Sequence, residues 1–183
     1  MKYSKAVTLK DGRTCILRNG TDRDAAASLD VFIRTHAQTD WLLTYPDEIR
    51  LTPQQQAQYL QAKTESGDEI EVLAVIDGNV VGTAGIERAG AADKVKHRAQ
   101  FGVSVDREYW GLGVGRALTR ACIECARKAG YAQLELDVVA ENAHAIALYR
   151  SEGFTEYGRN PRGFRSRQTG WQSLVLMRLE LDD

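Results

Sequence analysis

An α/β fold with one mixed sheet is predicted by three features of the sequence. Two β-branched runs, EVLAVI and VVGTAGIE, flank Asp77-Gly78-Asn79, a strong hairpin signal. Segments with helix-start signals alternate with strand-like segments instead of standing apart from them. A strand-like run, HRAQFGVSV, leads through a glycine-rich stretch straight into a helix with an apolar stripe, and another strand follows.

The elements follow in order. Residues 14–18 (TCILR) read as a first strand. Thr21 with Asp24 has the spacing of a capping box, opening a helix to about residue 36. HAQTDWLLTYPDE reads as an irregular loop with exposed aromatics. Thr52, Pro53 and Gln55 fit the N-cap, first and third positions of a second helix ending near Gly67. The hairpin comes next, then a loop (RAGAADKVK) and the strand HRAQFGVSV. A helix over residues 116–129 stops at Gly130. QLELDVV is a strand, and a short helix from Asn142 to Glu152 stops at Gly153. FTEYG and QSLVLMRLEL are the final strands, around a basic loop containing glycine.

No repeat, low-complexity tract or linker divides the 183 residues, so 1–183 is expected to be a single domain. A net charge of −1 gives no electrostatic support to nucleic-acid or membrane-surface binding. No apolar run is long enough for a membrane span, and MKYSKAVTLKDGRTC lacks the apolar core of a signal peptide. Three cysteines make no disulfide framework, and a reducing cytoplasm is the simplest expectation. Cys122 and Cys125 form a CxxC, but no second CxxC or histidine pair accompanies it. They share an apolar helical stripe with Leu118, Ala121, Ala126 and Ala129, so they read as buried small hydrophobes and not as a metal or redox site.

The segment REYWGLGVGRAL places Gly111, Gly113 and Gly115 at the start of a helix. Glycine loses more backbone freedom on folding than any other residue, so three together call for a reason. A phosphate-loop NTPase would need Lys-Ser/Thr after the last glycine, where Arg116-Ala117 stands. A dinucleotide fingerprint matches Gly111 and Gly113, but its third glycine comes one residue early; Glu135 or Asp137 lies at ribose-binding distance along the chain. A third reading is a cradle for the pyrophosphate of coenzyme A. Backbone N–H groups at a helix N-terminus hold anions without lysine, and glycines let phosphates approach. A merely tight strand-to-helix corner needs only one or two glycines.

At this point the sequence resembles the GCN5-related N-acetyltransferase (GNAT) superfamily. HRAQFGVSV followed by YWGLGVGRAL is similar to that family's acetyl-CoA motif, R/Q-x-x-G-x-G/A, with Gly113 and Gly115 at its glycines and Trp110 where the family usually has Arg or Gln. ENAHAIALYRSEGF is similar to its N-x-x-A-x-x-L-Y-x-x-x-G-F element at Asn142, Ala145, Leu148, Tyr149, Gly153 and Phe154. The order of strands and helices agrees from end to end. The resemblance implies a mostly antiparallel mixed sheet flanked by about four helices and splayed between the strands ending at Val105 and near Val138. It implies that acetyl-CoA is bound by Val103, Ser104 and Val105, by Gly111, Leu112, Gly113, Val114, Gly115 and Arg116, and by Asn142.

The implied reaction is acyl transfer from a thioester to an amine. An alkylammonium has a pKa near 10, and only its free base attacks, so a base or water chain must take a proton. An N–H near Val103 is placed to stabilise the oxyanion. Tyr149 is the candidate acid for the departing thiolate; the alternative is a residue packing beside Ile146. Glu87, ending a strand just before the coenzyme strand, is the candidate base, and His97 is another. Glu135 and Asp137 alternate with Leu134, Leu136 and Val138, so they are expected on the opposite face of their strand.

For the acceptor, Trp41, Tyr45, Asp47, Glu48, Phe164 and Trp171 set acids beside aromatics, which suits a cationic amine; a packed loop with solvated charges fits equally. GRNPRGFRSR would meet an acidic group of the acceptor or the coenzyme's 3′-phosphate, or form an exposed hairpin tip. A small-molecule amine such as a polyamine or amino acid is the expected acceptor, ahead of a protein N-terminus. An acyl-CoA-sensing domain without turnover is a further alternative, and the family's habits make a homodimer possible.

Overall fold

Hairpins and capped helices set the path of the chain. The computed structural model describes residues 1–181. Its strands are β1 (Ser4–Thr8), β2 (Thr14–Asn19), β3 (Ile70–Ile76), β4 (Asn79–Arg88), β5 (Arg98–Val105), β6 (Gln133–Val139), β7 (Thr155–Ser166) and β8 (Gly170–Glu180). Its helices are α1 (Ala25–Gln38), α2 (Pro53–Glu65), α3 (Val114–Ala129) and α4 (Ala143–Ser151). The strands form one sheet in the order β1-β2-β3-β4-β5-β6-β8-β7.

Local chemistry explains most joints. Asp77 (φ 50°) and Gly78 (φ 81°) are both left-handed, the turn whose twist matches a hairpin. Thr52 caps α2 reciprocally: Gln55 N–H donates to Thr52 Oγ1 (3.2 Å) and Thr52 N–H to Gln55 Oε1 (2.9 Å). Thr21 N–H donates to Asp24 Oδ2 (2.9 Å) in the turn that opens into α1.

Every neighbouring pair is antiparallel except β5 and β6, which α3 connects as a parallel crossover. That parallel pairing covers only Arg98–Gln133, Ala99–Leu134 and Gln100–Glu135. Beyond it the strands part, and the sheet is split. The buried Glu135 carboxylate, which accepts from Arg98 Nε and Nη2, bolts the strands together at the foot of the split.

The main core lies between α3 and the sheet. Leu118, Ala121, Cys122, Cys125 and Ala126 pack with Leu17, Val72, Ile86 and Phe101. On the other face Val31 of α1 packs on Leu73, Val75 and Val80. All three cysteines are unpaired and buried, and burial raises each thiol's pKa, so they serve as small apolar fillers.

Two elements differ from the sequence reading. β1 is an extra edge strand, too short to stand out by pattern, and it is held by backbone pairing from Ser4–Arg18 to Thr8–Thr14. The basic loop is strand: β7 runs through GRNPRGFRS against β8. Its Pro161 is tolerated because β7 is an outer strand and the register shifts between Asn160 and Phe164.

Candidate active site

The split opens onto a cleft of about 740 Å³. Backbone direction alternates along an antiparallel ladder. Asp106 N–H donates to Val81 O (2.9 Å) and Ala89 N–H to Arg98 O (3.0 Å), so Phe101, Val103 and Val105 turn their N–H and C=O groups away from β4, into the gap. Ser104 therefore turns its backbone toward β4; the residue lines the cleft, and its buried hydroxyl has no partner among the described residues.

β5 leads past a short turn into the glycine segment. Gly111 (φ 77°) and Gly113 (φ 100°) are left-handed, a conformation costly to any residue with a Cβ, and Gly113 is the N-cap of α3. The first helical bond runs from Ala117 N–H to Gly113 O (3.0 Å). Among the described residues, no acceptor takes a bond from the N–H groups of Gly111, Leu112, Gly113, Val114, Gly115 or Arg116. These N–H groups stand at the positive end of the α3 dipole, and five of their six residues line the cleft. Gly115 is helical, and a Cβ there would stand 3.7 Å from Leu148 Cδ2 and 3.9 Å from Val105 Cγ2, in ordinary contact. The protein's own packing does not require glycine at that position.

Across the gap, Asn142 caps α4, its Oδ1 accepting from Ala145 N–H (3.2 Å). Two turns on, Tyr149 is buried edge-on to Phe101 (6.1 Å) and tilted against Phe154 (5.8 Å), yet it lines the cleft. Its hydroxyl bonds to no protein group among the described residues, and burial raises its pKa, keeping the phenol protonated. Packing residue and cleft residue are thus one and the same.

The sequence-predicted base is elsewhere. Glu87 is half exposed, takes no part in the cleft lining, and bonds Lys63 Nζ (2.9 Å) and Tyr59 Oη (3.3 Å). His97 also lies outside the lining. Among the described residues, the acidic side chain that lines the cleft is Asp137 of β6, on the splayed side of the split. Loss of water, then the nearby Glu135 charge, raises its pKa above the ordinary aspartate value. The sequence signal was present: Leu136 and Val138 are buried, so Asp137 points the other way. What was missing was the parting of β5 and β6, which brings Leu136, Asp137 and Val138 alike to the cleft.

The acceptor region is also rewired. Asp40 Oδ2 accepts from Ser166 Oγ (2.6 Å) and Gln172 Nε2 (3.2 Å). Arg167 lies over the Tyr45 ring (4.1 Å) and pairs with Asp47 (2.8 Å) and Glu48 (3.6 Å), so those acids are consumed within the protein. Trp171 stands outside the lining, over half exposed, with Arg162 and Arg165 each 5.4 Å from its ring. Trp41 and Phe164 do line the cleft. Trp41 stacks on Trp110 (6.4 Å, 13°), whose Nε1 donates to Val105 O (2.7 Å). No described helix is long and apolar enough to cross a membrane.

Known proteins agree with this geometry. The chain is 40% identical over 88 residues to an N-alpha-acetyltransferase RimI of Mycobacterium tuberculosis, covering 48% of this chain and 53% of the relative. It is 38% identical over 85 residues to the L-amino acid N-acetyltransferase AaaT of Escherichia coli, covering 46% and 52%. The chain thus spans about half the length of the curated relatives it matches. The fold superposes on an acetyltransferase of the GNAT family from Streptococcus pneumoniae with a TM-score of 0.86 at 27% identity, covering 91% of this chain and 99% of the other. The model of the acetyltransferase (GNAT) family matches residues 33–154. The chain belongs to that family, whose members use acetyl-CoA.

Proposed function

We propose that the protein is an N-acetyltransferase that moves an acetyl group from acetyl-CoA to the primary amine of a small molecule by direct attack in a ternary complex. One observation carries the reading: six consecutive N–H groups at a helix N-terminus, unpaired among the described residues, stand at a split sheet whose cleft is lined by five of their residues and by Tyr149 and Asp137. The residues fit the coenzyme. Val114, Gly115 and Arg116, with Gly111, Leu112 and Gly113, would hold its pyrophosphate; the gap-facing N–H and C=O of Val103 and the N–H of Val105, whose carbonyl accepts from Trp110, would hold the amide-bearing arm; Asn142 and Ser104 would border it.

Acetyl-CoA supplies the activated acetyl thioester. Asp137 takes the proton that the attacking amine must lose. Val103 N–H steadies the oxyanion as the C–N bond forms. Tyr149, kept protonated by burial, gives its proton to the departing sulfur as the C–S bond breaks. Glu87, bound to Lys63, is better suited to tying α2 to β4 than to this proton transfer. A protein N-terminus is the second reading, favoured by the N-alpha-acetyltransferase relative.

The test follows free-thiol release from acetyl-CoA across a panel of amines, beside thermal shifts with acetyl-CoA. Thiol release with at least one amine is expected. A thermal shift without turnover on any amine would instead make the protein an acyl-CoA sensor, and unchanged turnover in Tyr149→Phe would remove that residue from the acid role.

A further inference from the structure

One wall of the cleft takes no part in the coenzyme contacts proposed above. Thr35 of α1, Thr39 at its C-cap, Trp41, Leu42 and Leu43 of the following loop, and Phe164 of β7 form it, and none of them is ionisable. Leu43 is 74% exposed and Trp41 36%. Large apolar side chains gathered on a concave surface mark a binding site. The loop is pinned on both sides of these residues, by Asp40 to Ser166 and Gln172 and by Tyr45 and Asp47 to Arg167. The apolar groups are therefore held out toward the cleft by a fixed frame.

Charge is placed elsewhere. Among the described residues, the basic side chains that line the cleft are those of Lys10, whose backbone N–H donates to Leu112 O (3.1 Å) beside the glycine segment, of Arg116, which pairs with Glu152, and of His144 on α4. Asp47 and Glu48 lie outside the cleft lining and share the single guanidinium of Arg167. A polyamine's second ammonium finds no carboxylate at this wall, and a free amino acid's carboxylate finds no cation there.

Resting on the acetyltransferase reading, we infer that the wall of Trp41, Leu42, Leu43 and Phe164 selects acceptor amines that carry one apolar or aromatic group and no second charge. Both arylalkylamines and amino acids whose carboxyl is masked as an amide or peptide have this chemistry.

Thiol release from acetyl-CoA is measured with 2-phenylethylamine, phenylalaninamide, a short phenylalanine-led peptide, free phenylalanine, glycinamide and spermidine. The expected kcat/KM for the first two exceeds that of the last three by about tenfold or more, the scale of discrimination an apolar pocket provides. The peptide separates the two sources of this chemistry: turnover matching phenylalaninamide assigns the wall to chain N-termini, and turnover well below it assigns the wall to small amines. Leu43→Ser and Trp41→Ala should each raise KM for 2-phenylethylamine several-fold, with KM for acetyl-CoA unchanged in Leu43→Ser. Spermidine, glycinamide or free phenylalanine matching 2-phenylethylamine, or both variants leaving its KM unchanged, would overturn the inference and leave the transferase reading standing. No thiol release from any amine would overturn the transferase reading itself, and this inference with it.

Discussion

The two ends of the cleft are built by different means. The cradle at the start of α3 is main chain: unpaired N–H groups, left-handed glycines and the field of a helix end. The acceptor wall is side chain, assembled from a loop and a hairpin joined by bonds such as Ser166–Asp40 across 126 residues and Arg167–Asp47 across 120. A main-chain site is specified by one contiguous run of residue types. A side-chain wall depends on pairs that the chain brings together only once it is folded.

The sharpest test lies where the two ends meet, at the splayed part of β6. Asp137→Asn should lower kcat by about 10²- to 10⁴-fold, the usual worth of a positioned base, with little change in KM for acetyl-CoA. The carboxylate is the active form, so activity rises with pH through its pKa. Desolvation and Glu135 raise that pKa, placing the acid limb of kcat/KM above the ordinary aspartate range, and the limb should vanish in the Asn variant. Glu87→Gln should leave the same limb in place.

Next come two glycines of the cradle, which separate strain from access. Gly113→Val forces a branched side chain into φ 100°. It should destabilise the protein by about 1–2 kcal/mol and raise KM for acetyl-CoA markedly. Gly115→Ala meets only ordinary contacts and sits in helix, so stability should hold or rise by up to about 1 kcal/mol. If glycine is there for the phosphates, KM for acetyl-CoA rises even as the melting temperature does. A KM that does not move would assign Gly115 to the helix start alone.

The same contrast decides what was legible in the sequence. The Asp77-Gly78-Asn79 hairpin, the Thr52 cap, the segment 111–116 and the Asn142–Tyr149 element are local, and each is found where its residues indicated. β1 was not legible because a short edge strand is held by its partner's backbone and not by its own pattern. The start of β7, FTEYG, was legible as strand, but its basic continuation read as a loop because glycines, a proline and arginines argue against strand, and only pairing with β8 outweighs them. Asp47 and Glu48 suggested a cation site; what cancels them is Arg167, far along the chain. Asp137 was correctly placed on the opposite face from Leu136, but the value of that face depends on the parting of β5 and β6, which no residue of β6 records.

The smallest expected effect falls on the frame of the wall. Arg167→Ala removes the stacking on Tyr45 and the pairing with Asp47 and Glu48 together. Asp47 and Glu48 are exposed, and exposed ion pairs contribute little to stability, so the melting temperature should hardly change. The loop that presents Trp41 and Leu43 is then held by Asp40, by the Trp41–Trp110 stack and by the Tyr45 hydroxyl, which accepts the Arg167 backbone N–H (2.7 Å) and keeps that bond in the variant. The acceptor KM should rise by roughly two- to fivefold, the range expected when a positioned contact loosens without being lost, while KM for acetyl-CoA stays the same. About 1 M salt, where the screening length is about 3 Å, should reproduce part of the effect in the unmodified protein and add little to the variant. A rise in KM for acetyl-CoA instead would mean that the hairpin reaches the coenzyme, and the two ends of the cleft would no longer be separable.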